Sequence, residues 1–142
     1  MYYLKTEHSF DSAHFLQEYD GKCRNIHGHR WRVVATMKAE SLKNSGQERG
    51  MVLDFGDFKR DLKAMVDFYD HAFLIEAGSL SKKLYEALIE ENFKLIELPF
   101  RPTAENMAKY FYDQLSKQYP MDLLEVYETP NNCASYRGEH HE

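Results

Sequence analysis

An α+β domain, with an antiparallel sheet and helices on one of its faces, is the fold class this sequence predicts. Three features predict it. Two long stretches of two-residue alternation open the chain, three helical stripes fill its middle, and a hairpin pattern closes it.

Residues 2 to 10 alternate, with Tyr2, Leu4, Thr6, His8 and Phe10 on one face and Tyr3, Lys5, Glu7 and Ser9 on the other. The loop "EYDGKCRN" leads to a second strand, about residues 29 to 40, which places Trp31, Val33, Ala35 and Met37 on one side. "SLKNSGQERG" is a polar turn, and "MVLDF" predicts a short strand ending at Asp54. Asp54 suits a helix N-cap, because its carboxylate can accept from the free N–H groups of a first turn. Phe55, Phe58, Leu62, Met65, Val66 and Tyr69 then recur at helical spacing, and the helix fails near "YDHAF". A second stripe carries Leu80, Leu84 and Leu88, and "KLIEL" predicts a short strand. Thr103 caps a third helix lined by Met107, Ala108, Phe111 and Leu115. "DLLEVYETP" and "CASYRG" form a closing hairpin across Asn131 and Asn132. A sheet of this kind leaves edges that a small chain often covers by oligomerising.

The 142 residues suit one domain spanning 1–142, large enough for a real core. A net charge of −5 argues against nucleic acid as the main partner, while local positive charge remains suited to a phosphorylated small molecule. The start "MYYLKTEHSF" has no cationic segment followed by an apolar run, and no apolar run approaches membrane-spanning length. These features predict a cytoplasmic protein without a membrane partner, whose Cys23 and Cys133 stay reduced rather than joined as a disulfide.

The chemistry concentrates in "CRNIHGHRW". His27 and His29 are two apart, so on a strand they share a face at roughly 7 Å along the backbone. Metal–nitrogen bonds of about 2 Å let two such rings converge on one ion. His14 in "FDSAHF", at the end of the neighbouring strand, supplies a third imidazole. Three neutral imidazoles with a free fourth position are a pattern of catalytic zinc; a closed structural site that also takes Cys23 is the alternative. Cys23 also suits a functional thiolate, flanked by Lys22 and Arg24. Asp70 beside His71 can orient the imidazole for acid–base work if a helix end or loop holds them together, although an Asp-His pair alone often only decorates a helix end. Glu128, at a strand end, can accept two N–H groups from an amidine-like ring edge such as that of a 2-amino-4-oxo pyrimidine; alone it reads as a solvated glutamate.

Taken together, "FDSAHFL", "GKCRNIHGHRW", "GMVLDFGDFK", the Asp70–His71 pair, "PTAENMAKYFYDQL" and "VYETPNNCASYRGE" resemble the 6-pyruvoyl- and 6-carboxy-tetrahydropterin synthase family over nearly the whole chain. The resemblance implies the tunnelling fold (T-fold), a four-stranded antiparallel sheet with helices on one side. Three copies close it into a barrel, often stacked as hexamers, with active sites between subunits. It implies zinc held by His14, His27 and His29, Cys23 as catalytic base, Asp70 and His71 as its relay, Glu128 as the pterin anchor, and Thr103 lining that pocket. The three residues between Cys23 and His27 resemble the bacterial 6-carboxy branch, which serves queuosine and other deazapurine synthesis; the animal pyruvoyl enzymes have a longer spacing. The implied reaction converts 7,8-dihydroneopterin triphosphate to 6-carboxytetrahydropterin, acetaldehyde and triphosphate, with no organic cofactor. A pyruvoyl product, side-chain cleavage of a non-phosphorylated pterin, and a pterin- or metal-binding module without turnover are the alternatives. Residues 75 to 98 read as a helix-rich insertion relative to the compact family members, and "HHE" extends past the family's usual ending.

Overall fold

A computed structural model describes residues 1–139; the terminal "HHE" lies outside the described residues. The elements are β1 (Tyr2–His14), β2 (His27–Ala39), α1 (Phe55–Asp67), β3 (Ala72–Glu76), α2 (Lys82–Glu90), β4 (Leu95–Leu98), α3 (Ala104–Leu115), β5 (Met121–Thr129) and β6 (Asn132–Tyr136).

The first two strands run longer toward the site than the alternation predicts. β1 continues to His14, and β2 begins at His27. They pair antiparallel along their whole length, from Tyr2 opposite Ala39 to His14 opposite His27. β5 pairs with the other edge of β2, and β6 closes the hairpin. Phe10, Trp31, Val33, Ala35, Met37, Leu124 and Val126 form the apolar face. α1 covers it with Phe58, Leu62 and Val66, and α3 with Met107, Ala108, Phe111 and Leu115. Phe10 stacks on Trp31 with ring centres 5.7 Å apart and meets the edge of Phe111 at 6.1 Å. Each large side chain fully buried there contributes about 1.5–3 kcal/mol relative to exposure.

Asp54 caps α1 by accepting from the Gly56 N–H, and Thr103 caps α3 by accepting from the Asn106 N–H. Phe55, assigned by periodicity to the buried stripe of α1, is exposed.

The sheet has six strands, in the order β4-β3-β1-β2-β5-β6, where four were expected, and it is mixed rather than antiparallel. β3 runs parallel to β1 at Ser12 and Ala13, and β4 runs parallel to β3. β3 escaped the periodicity because Ala72, Leu74 and Ile75 are all buried, so "AFLIE" shows a continuous apolar run instead of alternation. Two parallel neighbours need a crossover, and α2 provides it. α2 itself buries no residue, and Leu84 of its predicted stripe is exposed. "MVLDF" forms no strand. The preceding loop folds back through Lys43 N–H to Met51 O and Gly50 N–H to Lys43 O. That closure needs Gly50 at φ 81, a left-handed conformation that glycine adopts without a side-chain clash. Val52 and Leu53 then pack, half-buried, against the core.

Removing core volume should cost far more than trimming the surface of α1. Leu62→Ala should lower stability by about 2–5 kcal/mol. Phe55→Ala should shift it by less than about 1 kcal/mol, since surface changes rarely do more. Urea unfolding of both variants measures the difference.

Candidate metal centre and its surroundings

The register of β1 on β2 brings three imidazoles together at one end of the sheet. His14 stands opposite His27, and His29 lies two residues further along the same face. Ring centres are 4.5 Å apart for His14–His27, 5.1 Å for His14–His29 and 4.9 Å for His27–His29. One nitrogen from each ring falls within 4.8 Å of the other two. Trp31 meets His14 and His29 edge-on and closes the inner side. His14 is buried; His27 and His29 are half-buried.

Hydrogen bonding fixes which nitrogens face inward. His14 Nδ1 is 2.7 Å from the Pro102 carbonyl oxygen, and His27 Nδ1 is 2.7 Å from the Asn25 carbonyl oxygen. A carbonyl only accepts, so both Nδ1 atoms carry the proton. Both Nε2 atoms therefore present lone pairs, and they face one another at 3.0 Å. Two lone pairs at that separation repel unless a proton or a cation lies between them. Burial disfavours the proton: it pushes His14 down to about 4, against the Pro102 bond, with His27 and His29 adding to the shift. Burial, followed by His27, lowers His29 as well. Near neutral pH His14 and His29 are therefore uncharged, the form that binds a metal. Backbone carbonyls that hold the far ring nitrogen are the usual outer partners of metal-bound histidines. Together the three imidazoles form a donor set that fits a metal ion.

Cys23 lies in a short 3-10 turn, Lys22–Arg24, and is half-buried. Its sulfur is not part of the three-imidazole group, and both cysteines are free thiols. Burial, followed by Glu125, raises Cys133 above the usual thiol range.

Glu128 lies at the end of β5, beside the start of α3. Burial, followed by the charge of Glu105, raises its carboxyl above the usual carboxylate range, while the charge of His27 and the nearby Ala104 N–H oppose that rise. Thr103 and Pro102 belong to the same turn. One segment, "RPTAEN", thus orients His14, caps α3 and meets Glu128.

Asp70 and His71 form their pair in the turn between α1 and β3, with His71 Nδ1–H donating to Asp70 Oδ2 at 2.8 Å. The Asp11 N–H donates to Asp70 Oδ1 and holds that carboxyl below its usual range, with His71 contributing less. Among the described residues no hydrogen bond joins Cys23 to His71 or to the three imidazoles. The Cys23 loop and His71 do approach a common apolar cavity of about 340 Å³, lined in part by Ile26, His71, Leu88 and Phe93.

Asp11, Asn25 and Pro102 were not singled out from sequence. Asn25 and Pro102 act through backbone carbonyls, and Asp11 holds the pair through its backbone, so side-chain identity gives no signal.

The sequence profile of the 6-pyruvoyl tetrahydropterin synthase family matches residues 3–139. This chain belongs to that family. Among its relatives is the 6-carboxy-5,6,7,8-tetrahydropterin synthase of Haemophilus influenzae. It is 33% identical over 141 residues, covering 96% of this chain and 99% of the relative. The enzyme of the same name from Synechocystis is 33% identical over 126 residues, covering 82% and 98%. Solved structures share the fold. An uncharacterised protein from Wolinella succinogenes superposes with a TM-score of 0.84 at 20% identity, covering 97% of this chain and 98% of that one. The 6-pyruvoyl tetrahydropterin synthase of Plasmodium vivax gives 0.70 at 18% identity, covering 98% of each chain. No helix among the described residues is long and apolar enough to cross a membrane.

Metal analysis of purified variants tests the centre. His27→Ala should lose most of its zinc, because two imidazoles cannot replace three. Cys23→Ala should keep its zinc, and loss as complete as in His27→Ala would mean a closed four-ligand site.

Proposed function

We propose that this chain is a zinc-dependent 6-carboxy-5,6,7,8-tetrahydropterin synthase. It converts 7,8-dihydroneopterin triphosphate and water to 6-carboxytetrahydropterin, acetaldehyde and triphosphate, for deazapurine (queuosine) synthesis in the cytoplasm. The observation that carries this reading is the convergence of three metal-ready imidazoles beside a carboxylate at a helix start, in a chain whose relatives bear that enzyme name.

His14, His27 and His29 hold the metal. Bound zinc supplies Lewis acidity and a template for the substrate's side-chain hydroxyls. Glu128 grips the pyrimidine edge through two charge-assisted hydrogen bonds, and the Thr103 turn lines the same pocket. Cys23 removes a proton from the side chain. His71, its Nδ1 occupied by Asp70, exchanges protons through Nε2 at the other end. The pterin ring takes up the electrons as the side chain is oxidised, so no organic cofactor is needed.

Copies of the chain assemble into a barrel of trimeric or hexameric order. Strand β6 is an edge strand, and β3 covers β1 only at Ser12 and Ala13, which supports edge-to-edge assembly. Assembly also supplies what one chain lacks: Cys23 of one copy meets Asp70 and His71 of another, consistent with a His71 side chain 79% exposed in the single chain.

Acetaldehyde release from dihydroneopterin triphosphate tests the reaction. Stoichiometric acetaldehyde is expected; triphosphate without acetaldehyde would mean the pyruvoyl product, and neither would mean a binding module.

Alkylation rates against pH test the base. Cys23 should react faster than Cys133 near neutral pH in the zinc-loaded protein, and equal rates would remove Cys23 as the base.

Glu128 gives a third test. Hydrogen bonds to a charged group contribute about 1.5–3 kcal/mol each, so Glu128→Ala should weaken pterin binding by at least about tenfold. Glu128→Gln should be nearly as poor, because its amide N–H₂ would face a ring donor. Unchanged affinity in a pterin titration of zinc-loaded Glu128→Gln would sink the anchor.

A further inference from the structure

The turn that carries Asp70 and His71 is fastened from two sides. On one side is Asp11 of β1. Its N–H donates to Asp70 Oδ1 at 2.8 Å, and its carbonyl accepts from the His71 N–H at 2.6 Å. On the other side is Lys94, which follows α2 and directly precedes β4. Lys94 Nζ donates to the Asp70 carbonyl oxygen at 2.8 Å, and the Lys94 carbonyl accepts from the Phe73 N–H at 2.9 Å. One residue of the 75–98 segment therefore grips both ends of Asp70–Phe73.

Three further observations indicate what that grip is for. His71 sits at φ 54, in the left-handed region, which a residue with a Cβ keeps only when its surroundings hold it. The His71 ring is largely exposed, and Asp70 Oδ2 is its one hydrogen-bond partner among the described residues, so the ring points wherever Asp70 points. Lys94 has no carboxylate partner among the described residues; its ammonium is directed at the Asp70–His71 peptide, with the Phe68 ring 5.9 Å away. The segment's helix adds little to the core, since α2 buries no residue.

We propose that Lys94 is a positioning residue for the acid–base pair, and that the 75–98 segment serves to fasten the Asp70–His71 turn from the side β1 does not reach. Lys94 touches no reacting atom. It fixes the Asp70 peptide, Asp70 fixes the tautomer and direction of the His71 ring, and His71 Nε2 is left aimed at the substrate. The inference rests on Asp70 and His71 being the proton relay of the proposed reaction.

The test uses the full-length, zinc-loaded protein as wild type, Lys94→Met, Lys94→Arg and His71→Asn. It measures kcat and KM from acetaldehyde release, and the 15N shifts of the His71 ring. His71→Asn should lower kcat by about a hundredfold or more, the range of general acid–base catalysis. Lys94→Met should lower kcat by about tenfold, part of that same contribution, with KM and zinc content unchanged. Its His71 ring should also change from one tautomer to a mixture. Lys94→Arg retains a donor and should recover most of kcat and the single tautomer. Lys94 is exposed, so Lys94→Met should fold; if its melt shows otherwise, Lys94→Ala takes its place with the same expectations. Wild-type kcat and an unchanged His71 ring in Lys94→Met, with His71→Asn inactive, would overturn the positioning role and leave the relay standing. A raised KM with unchanged kcat would overturn it too, by making Lys94 a substrate contact. An active His71→Asn would remove the relay and the inference together.

Discussion

The antiparallel register of β1 on β2 is the constraint on which the site depends. Thirteen paired positions run without a bulge from Tyr2–Ala39 to His14–His27. A slip of β2 by one residue would turn each of its side chains to the other face. Trp31, Val33 and Met37 would lose the core, and in the same movement His27 and His29 would turn away from His14. The apolar alternation that buries the middle of the two strands thus also sets the geometry at their end. Trp31 shows the coupling in one residue: it stacks on Phe10 within the core, meets the His14 and His29 rings edge-on, and donates its indole N–H to the Ser12 carbonyl.

What the register brings together, backbone carbonyls then orient. The Pro102 and Asn25 carbonyls each accept a hydrogen bond from the Nδ1–H of one histidine and so turn its Nε2 lone pair inward. Neither carbonyl belongs to the β1–β2 pair. Pro102 comes from the turn before α3, so packing α3 on the sheet finishes a centre that the strands begin. The same turn carries Thr103, which caps α3, and Ala104, whose N–H meets Glu128. Any movement of α3 relative to the sheet would therefore disturb the orientation of His14 and the surroundings of Glu128 at once.

The parts of this arrangement visible in the sequence are those encoded by side-chain type and spacing. The His-x-His pair, the apolar faces of β1 and β2, the buried stripe of α3 and the Asp54 and Thr103 caps could all be read directly. The parts that were hidden have other physical origins. β3 is buried on both faces, so its strand period is masked, and without it the parallel β3–β4 unit and the mixed sheet could not be foreseen. "MVLDF" has strand composition, but the hydrogen-bonded loop before it sends the chain into α1 instead. Among the site residues, those acting through the backbone left no mark. Asp11 is the plainest case. Its carboxylate is taken by a bidentate pair with Arg30 at 3.0 and 3.1 Å, and its main chain holds Asp70 and His71.

Half burial suits the anchor role proposed for Glu128. A fully exposed carboxylate would be well solvated and would gain little by exchanging water for a ring edge. A fully buried one would tend to take up a proton, and a protonated carboxyl cannot accept two donors. Here burial and the nearby Glu105 raise its pKa, while the Ala104 N–H and the neighbouring His27 oppose that rise. The carboxylate is thus partly stripped of water, and the helix start and His27 only limit the rise that results. On the proposed reading, a ligand that offers two N–H groups would complete the solvation that the fold leaves unfinished, and that deficit would be a source of its affinity.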